Sequence, residues 1–439
     1  MTVPAGLCCL ALLTSFGLRA EELTLEQAIA LAVKTNRPVT NARLEVEKSD
    51  RQIDVARTYR LPSFHFNIFE GEFPGPVNFV YPAGAWGVYP ATGPIPATNE
   101  TITSPRHPFS LIDGSVTQPL SQLPKIRLAV RIRETERDEA REKLAAARLA
   151  VVADVRKLYY GILQTRSAIE SNESSLRTLR ELDRVTSENV AHQVVLKSEA
   201  LEVKARLAKA EYESAALLHD LAAEKEQLND LMGRDARTDF SVHALPEPSF
   251  APADLAQVRE HALAERPEIR EARLRIVEAE QDRALKRAEY IPEVNLKAQY
   301  FSPFGVATLP KNIGAVGVQL DWDVFDWGRK KQELAVKDIV IQQAKNALET
   351  TQSQVLIEVE SRYRKVEETR RMLQVVETAQ AAARERVRIA NDRYQGEAAL
   401  LKDLLEAQAA ESETDYQRQQ ALSAYLSAQA DFERAGAAH

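Results

Sequence analysis

Few residues of this chain are placed to do chemistry. Its seven histidines (65, 107, 192, 219, 243, 261 and 439) are scattered, and none has a second His or Cys at metal-ligand spacing. No H-E-x-x-H, G-x-S-x-G, P-loop or G-x-G-x-x-G pattern occurs, so neither a catalytic residue nor a metal or cofactor site is expected. An enzyme is not the reading. Carboxylates are plentiful, but on helix-forming sequence they usually form a solvated face with i, i+4 pairs. One pair follows a break in such sequence: Asp403 and Glu406 come after Tyr394-Gln395-Gly396, and a spacing of three puts both carboxylates on one helix face.

Composition narrows the classes further. Of 439 residues, 44% are apolar, 28% charged and 6% aromatic, a balance that excludes disorder and low-complexity structure. The net charge of −7 lacks the positive excess of a nucleic-acid binder. Both cysteines, Cys8 and Cys9, lie in an apolar run from Leu7 to Leu18, too short to span a bilayer comfortably. That run reads as the core of a signal peptide over 1–20 with cleavage near Ala20, although residues 1–6 carry no Lys or Arg. Lipidation of Cys8 fits less well, because the apolar run would precede such a cysteine. Once the leader is removed the chain has no cysteine, which excludes disulfide and thiolate chemistry.

The remainder is written twice. A shift of 230 residues aligns Leu25 with Leu255, Ala42-Arg43-Leu44 with Ala272-Arg273-Leu274, and Pro62 with Pro292. A shift of 204 aligns Val155 with Val359, Tyr159 with Tyr363, Leu201-Glu202 with Leu405-Glu406 and Tyr212 with Tyr416. The difference is an insertion in the first copy between 71 and 114, where Pro and Gly crowd together and a loop is expected. The organisation is therefore a first repeat over 21–235, a linker over 236–252 and a second repeat over 253–439. Each repeat opens with a helical segment (about 24–60 and 253–290) that ends at the shared proline. Two alternating runs follow, Phe64, Phe66 and Ile68 then Ile112, Gly114 and Val116 in the first copy. In the second they are Val294, Leu296, Ala298 and Tyr300, then Val316, Val318, Leu320, Trp322 and Val324. Period-two alternation predicts strands with one apolar and one polar face, four in all. Proline-free sequence from about 125 to 192 and from 328 to 394 predicts two rods of roughly 100 Å, each folding back as a helical hairpin.

Four such strands cannot close a barrel, and an open sheet leaves two edges unpaired. Two architectures satisfy the pattern. One is a membrane barrel closed by oligomerisation; the other is a soluble sheet packing its apolar face on the helices.

The segments LTLEQAIALAVKTNRPV, ERPEIREARLRIVEAEQDRALKRAEYIPEVNL, LDWDVFDWGRK and RYQGEAALLKDLLEAQ resemble the TolC family of outer-membrane efflux channels, and the likeness runs over residues 22–436. The resemblance implies a mainly α fold with a membrane β-barrel portion: a homotrimer with a twelve-stranded β-barrel and an α-barrel reaching through the periplasm. It also implies a channel-tunnel of a tripartite efflux or secretion system in the outer membrane, in contact with its lipid, working with a periplasmic adaptor and an inner-membrane pump. The rival functions are a structural periplasmic coiled coil and the adaptor itself, though an adaptor would carry one hairpin and all-β domains. In the family, a tyrosine and acidic residues at the hairpin turns close the periplasmic aperture. Tyr394, Asp403 and Glu406 match that pattern, and Glu199 matches an acidic position in the first hairpin. Ala399 stands where the family pattern has an arginine, and Gly396 comes one residue early.

Overall fold

The computed structural model describes residues 21–193, 196–244, 254–305, 310–396 and 398–437. The signal peptide expected over 1–20 lies outside the described residues. In chain order the elements are β1 (Glu21–Leu23), α1 (Leu25–Thr35), α2 (Arg37–Thr58), β2 (Ser63–Glu72), β3 (Val77–Tyr81), β4 (Val88–Tyr89), β5 (Gly93–Pro94), β6 (Glu100–Ser104) and β7 (Pro108–Pro119). They continue as α3 (Leu123–Ala191), α4 (Lys197–Leu231), β8 (Phe240–Val242), α5 (Leu255–Glu265), α6 (Pro267–Ala288), β9 (Glu293–Phe304), β10 (Ile313–Asp321), α7 (Arg329–Gln395) and α8 (Leu401–Ala435). The duplication is obeyed to the residue: α5 and α6 begin and end 230 positions after α1 and α2, and α8 begins and ends 204 after α4.

The opening helical segment of each repeat is two helices rather than one. Asn36 (ψ 132°) and Arg266 (ψ 125°) leave the helical region, and each still donates its N–H to a carbonyl four residues back, at Ala32 and Ala262. A proline in the first turn of each following helix, Pro38 or Pro267, has no N–H to continue the previous ladder and is tolerated where such donors are unused. At the first break the Asn36 amide donates to Leu231 O (3.0 Å), which fastens the break to the end of α4.

Two compact units are defined by the contacts. The first comprises residues 1–44 (described from 21), 141–270 and 349–439. Its helices lie in the order α4, α3, α8, α7. Thr165 on α3 donates to Glu224 on α4 (3.1 Å), Ser171 on α3 to Ser412 O on α8 (2.7 Å), and Leu373 and Val376 on α7 bury against Ala421 on α8. The main core gathers Leu23, Ala28, Val39, Val155, Tyr159, Ile162, Leu228, Met232 and Phe240. Over it, β1 and β8 pair in parallel, Leu23 opposite Val242. The stretch expected as a linker thus contains a strand with two buried side chains, Phe240 and Val242, while 245–252 lie outside the described residues. Gly233 closes α4 at φ +64°, where a Cβ would meet Thr35 O at 2.9 Å, so glycine is required twice over.

The second unit comprises residues 45–140 and 271–348. Its strands form one antiparallel sheet in the order β10-β9-β7-β2, the two hairpins being joined through β7 and β9. Phe64, Val116, Ala298 and Val316 stand in one cross-strand row; Phe66, Gly114, Tyr300 and Gly314 form the next row on the same face. His65, Ser115, Gln299 and Ala315 run between them on the opposite face, where Gln299 donates to Asp113 (2.9 Å). Over these rows one face is apolar and aromatic and the other mainly polar; beyond them the pattern is mixed, Glu70 and Ser302 falling on the first face and Phe69, Leu111 and Phe301 on the second. The insertion differs from expectation. β2 runs to Glu72 and β7 starts at Pro108, so the connection is 73–107, and it is not a plain loop. It holds two small antiparallel ladders, β3 with β6 and β4 with β5, because its prolines and glycines punctuate short alternating runs such as Val77-Asn78-Phe79-Val80-Tyr81 instead of replacing them.

At each strand-to-helix junction a side chain replaces missing backbone partners. Asp326 accepts from the N–H groups of Gly328 and Lys330, both at 3.0 Å, which starts α7 and holds its carboxyl below the usual range. After β7, Ser121 donates to Pro292 O (2.6 Å) and accepts from Val294 N–H (2.7 Å).

The Tyr159 hydroxyl, buried among apolar groups, donates to Leu23 O (3.0 Å) and lies 2.8 Å from His243 O, tying α3 to the β1–β8 pair. Tyr159→Phe is expected to lower stability by about 1–2 kcal/mol, read as a fall in the denaturation midpoint. An unchanged midpoint would mean that the hydroxyl bears nothing.

Candidate functional site

The two helix-hairpin turns lie in the first unit. The first turn follows Ala191: His192 N–H donates to Glu188 O (3.1 Å), Gln193 takes φ +58°, and α4 begins after Leu196. At the second, Gly396 N–H donates to Asp392 O (3.1 Å) and Ala398 N–H to Arg393 O (2.8 Å), so the last turn of α7 closes on itself before Leu400 leads into α8. Leu196 and Leu400 hold the same place, the cap of the returning helix, where a side-chain acceptor is usual. Neither supplies one. At the second turn Asp403 substitutes, its carboxylate accepting the Leu400 N–H at 3.1 Å.

The site residues expected from sequence fall as follows. Tyr394 is exposed in the last turn of α7. Asp403 and Glu406 are exposed in the first two turns of α8, one turn apart, with Lys402 approaching Glu406 at 4.0 Å. Glu199 is exposed in the first turn of α4. The helix boundaries reveal a residue that sequence reasoning passed over. Glu199 and Asp403 are equivalents under the shift of 204, and so are Glu202 and Glu406, so the first hairpin bears the same acid pair as the second. Glu202 is held by Arg206 one turn on, at 2.5 Å. The alignment of Leu201-Glu202 with Leu405-Glu406 was the available signal.

A second duplicated feature stands just before each turn. Arg184 forks onto Glu181 (2.6 and 3.1 Å) and reaches Glu188 (2.8 Å). Its equivalent Arg388 forks onto Glu385 (2.6 and 2.9 Å) and reaches Asp392 (2.9 Å). The guanidinium hydrogen bonds hold the carboxyls of Glu181 and Glu385 below their usual range. Any stability they add is therefore present above the ordinary glutamate pKa and is lost as pH falls through the lowered one. Ion pairs also cross between the arms of each hairpin, Arg180 to Glu211 at 3.5 Å and Arg384 to Asp415 at 3.6 Å. Among the described residues, no group of three or more His, Cys, Asp and Glu is arranged to hold a metal ion, and no helix is long and apolar enough to cross a membrane.

Solved structures that share this fold are those of outer-membrane channels and an outer membrane protein. The chain matches the CmeC outer membrane channel of Campylobacter jejuni over 94% of its own length and 85% of that chain, with TM-score 0.74 and 16% identity. It matches the outer membrane protein VceC of Vibrio cholerae over 94% and 96%, with TM-score 0.69 and 19% identity. It matches the outer-membrane channel OprN over 94% and 90%, with TM-score 0.73 and 17% identity. At these identities the likeness is one of fold. No curated protein matches the sequence. Residues 258–436, nearly all of the second repeat, match the model of the outer membrane efflux protein family, and this match, together with the likeness in fold, bears out the resemblance to TolC-family channels.

The Asp403 carboxylate bond to Leu400 N–H gives a local test. In Asp403→Ala, amide hydrogen exchange at Leu400 should accelerate, whereas Asp403→Asn, which keeps an acceptor oxygen, should preserve most of the protection. Equal exchange in all three proteins would show that the bond does not hold the turn.

Proposed function

We propose that the chain is one subunit of a homotrimeric channel-tunnel in the outer membrane, which passes substrates from a periplasmic adaptor and inner-membrane pump to the exterior. The observation that carries this reading is the sheet: four strands of 9–12 residues, one face mainly apolar and the other mainly polar, with both outer edges open. Strands of that length suit a tilted membrane crossing, and hydrocarbon admits a sheet only when its edges are closed. Three copies supply twelve strands, with the apolar face toward lipid and the polar face toward the lumen. The helical hairpins then form the periplasmic part of the tunnel, and the 73–107 connection lies at the exterior.

In a three-fold pore Asp403 and Glu406 recur as rings, and the first-hairpin pair Glu199 and Glu202 adds two more. Rings of carboxylates favour cations and repel anions through their shared field. Tyr394 holds the closed aperture through its hydroxyl. The second reading, a soluble periplasmic coiled coil, leaves Phe64, Phe66, Val316, Val318 and Leu320 uncovered on one face, each more than half exposed.

Planar-bilayer recording tests the proposal. Wild-type protein should form cation-preferring channels, and Asp403→Ala with Glu406→Ala should weaken that preference. Tyr394→Phe should raise resting conductance without changing selectivity. Unchanged selectivity in the double variant would reduce these carboxylates to solvated helix charges. Recovery of the protein from soluble periplasm, with no channels formed, would favour the coiled coil.

A further inference from the structure

Each repeat packs the helix that enters the sheet against the helix that leaves it: α2 against α3, and α6 against α7. Both joints lie in the second unit, over 45–140 and 271–348. In the first, Ile53 and Ala56 of α2 close on Val130 of α3, and all three are buried. Arg57 and Glu134, 3.4 Å apart, stand beside that apolar centre. The shifts of 230 and 204 that align the helices carry Ile53 to Arg283, Ala56 to Lys286, Ala129 to Glu333 and Val130 to Leu334. Three of these four apolar positions are charged in the second copy.

The charges form a ladder between α6 and α7. Lys286 meets Glu333 (2.8 Å), Arg283 meets Asp338 (2.5 Å) and Lys337 meets Asp282 (2.6 Å). All six side chains reach water, from 19% exposed at Lys286 to 55% at Asp338. Ala279 and Ile341 are buried a turn farther along, so it is the end next to the strands where ions have replaced apolar contact. The neighbouring turn differs as well. Ser121, just before α3, is bonded to Pro292 O and to the Val294 N–H. Its equivalent before α7 is Phe325, which has no polar side-chain atom to make such a tie and is 72% exposed. Trp327 and Gly328 follow in the left-handed region, at φ +56° and +80°. The start of α7 is thus held by the Asp326 carboxylate and by the ladder.

We infer that the α6–α7 joint is a salt-sensitive hinge, shut by its ladder in dilute salt and loosened in concentrated salt, while the α2–α3 joint stays shut in both. Salt screens exposed ion pairs and does not weaken the burial of apolar surface. No single rung is strong, and three in succession set the response of the joint. The consequence is an asymmetry between the repeats: where α7 leaves the sheet it can part from α6, whereas α3 cannot part from α2. Every residue involved belongs to one copy, so the inference does not rest on the trimeric reading.

Hydrogen exchange on the full chain in mild detergent tests the hinge, with each joint serving as control for the other. Sodium chloride would be raised from about 0.01 M to about 1 M, over which the screening length falls from about 30 Å to about 3 Å. Peptides covering 279–289 and 329–340 should exchange several-fold faster at high salt, and those covering 49–59 and 125–136 should change little. Arg283→Ile with Lys286→Ala and Glu333→Ala installs the first-copy side chains and should remove most of the response. A response at both joints alike, at α2–α3 alone or at neither overturns the hinge, and so does an undiminished response in the triple variant. The wild-type comparison decides the matter even if that variant does not fold.

Discussion

The outer backbone edges of β2 and β10 are the constraint from which the rest follows. A strand edge carries a row of N–H and C=O groups that water can satisfy and hydrocarbon cannot. Here those edges flank a face made of Phe64, Phe66, Val316, Val318 and Leu320, which water does not suit either. Soluble packing would cover the face, and a bilayer would cover it only once the edges were closed.

Duplication explains how one chain meets that constraint economically. A single repeat offers two strands and one hairpin, with an exposed flank on each side. The second repeat satisfies one flank of the first and leaves an equivalent flank of its own. The in-chain contacts between α3 and α8 include a buried hydroxyl, Ser423 to Tyr160 O at 2.9 Å, and a cluster in which Asp431 takes both Lys157 (2.6 Å) and Arg362 (3.2 Å). Such directional pairs fix register where small apolar side chains alone would slide. The outer helix α7 instead carries larger apolar groups, Ile357 and Met372, that stay exposed within the chain.

Much of this was legible in the sequence because repeated spacing survives substitution. The shifts of 230 and 204 place the ends of most helices in the second copy from those in the first, and Pro62 with Pro292 marks where helix gives way to strand. What stayed hidden depends on tertiary contact. The joining of β7 to β9 leaves no trace in alternation, which predicts faces and not neighbours. The three-residue β1 and β8 are too short for any periodicity, and they exist because Tyr159 and the core beneath hold them. The break at Arg266 could have been read from Pro267. That at Asn36 precedes its proline by two residues and needed the Leu231 carbonyl to show it. At the turns, attention to the second hairpin alone concealed the equivalent acid at Glu202.

The hairpins also restrict how this chain can change length. An α-helix turns through about 100° per residue, so losing one residue from α3 would rotate everything beyond it away from its partners on α4 and α8. Seven residues come close to two full turns and nearly restore the facing. Even then the arms must shorten together, because Thr165–Glu224, Asn172–Ala210 and Arg180–Glu211 bind outgoing to returning helix along its length. The second hairpin, bound to the first through Ser171 and Ser412, would have to lose the same block. A shorter or longer relative built on this plan should therefore differ from it by matched blocks of about seven residues in all four arms, with loops such as 73–107 free to vary one residue at a time.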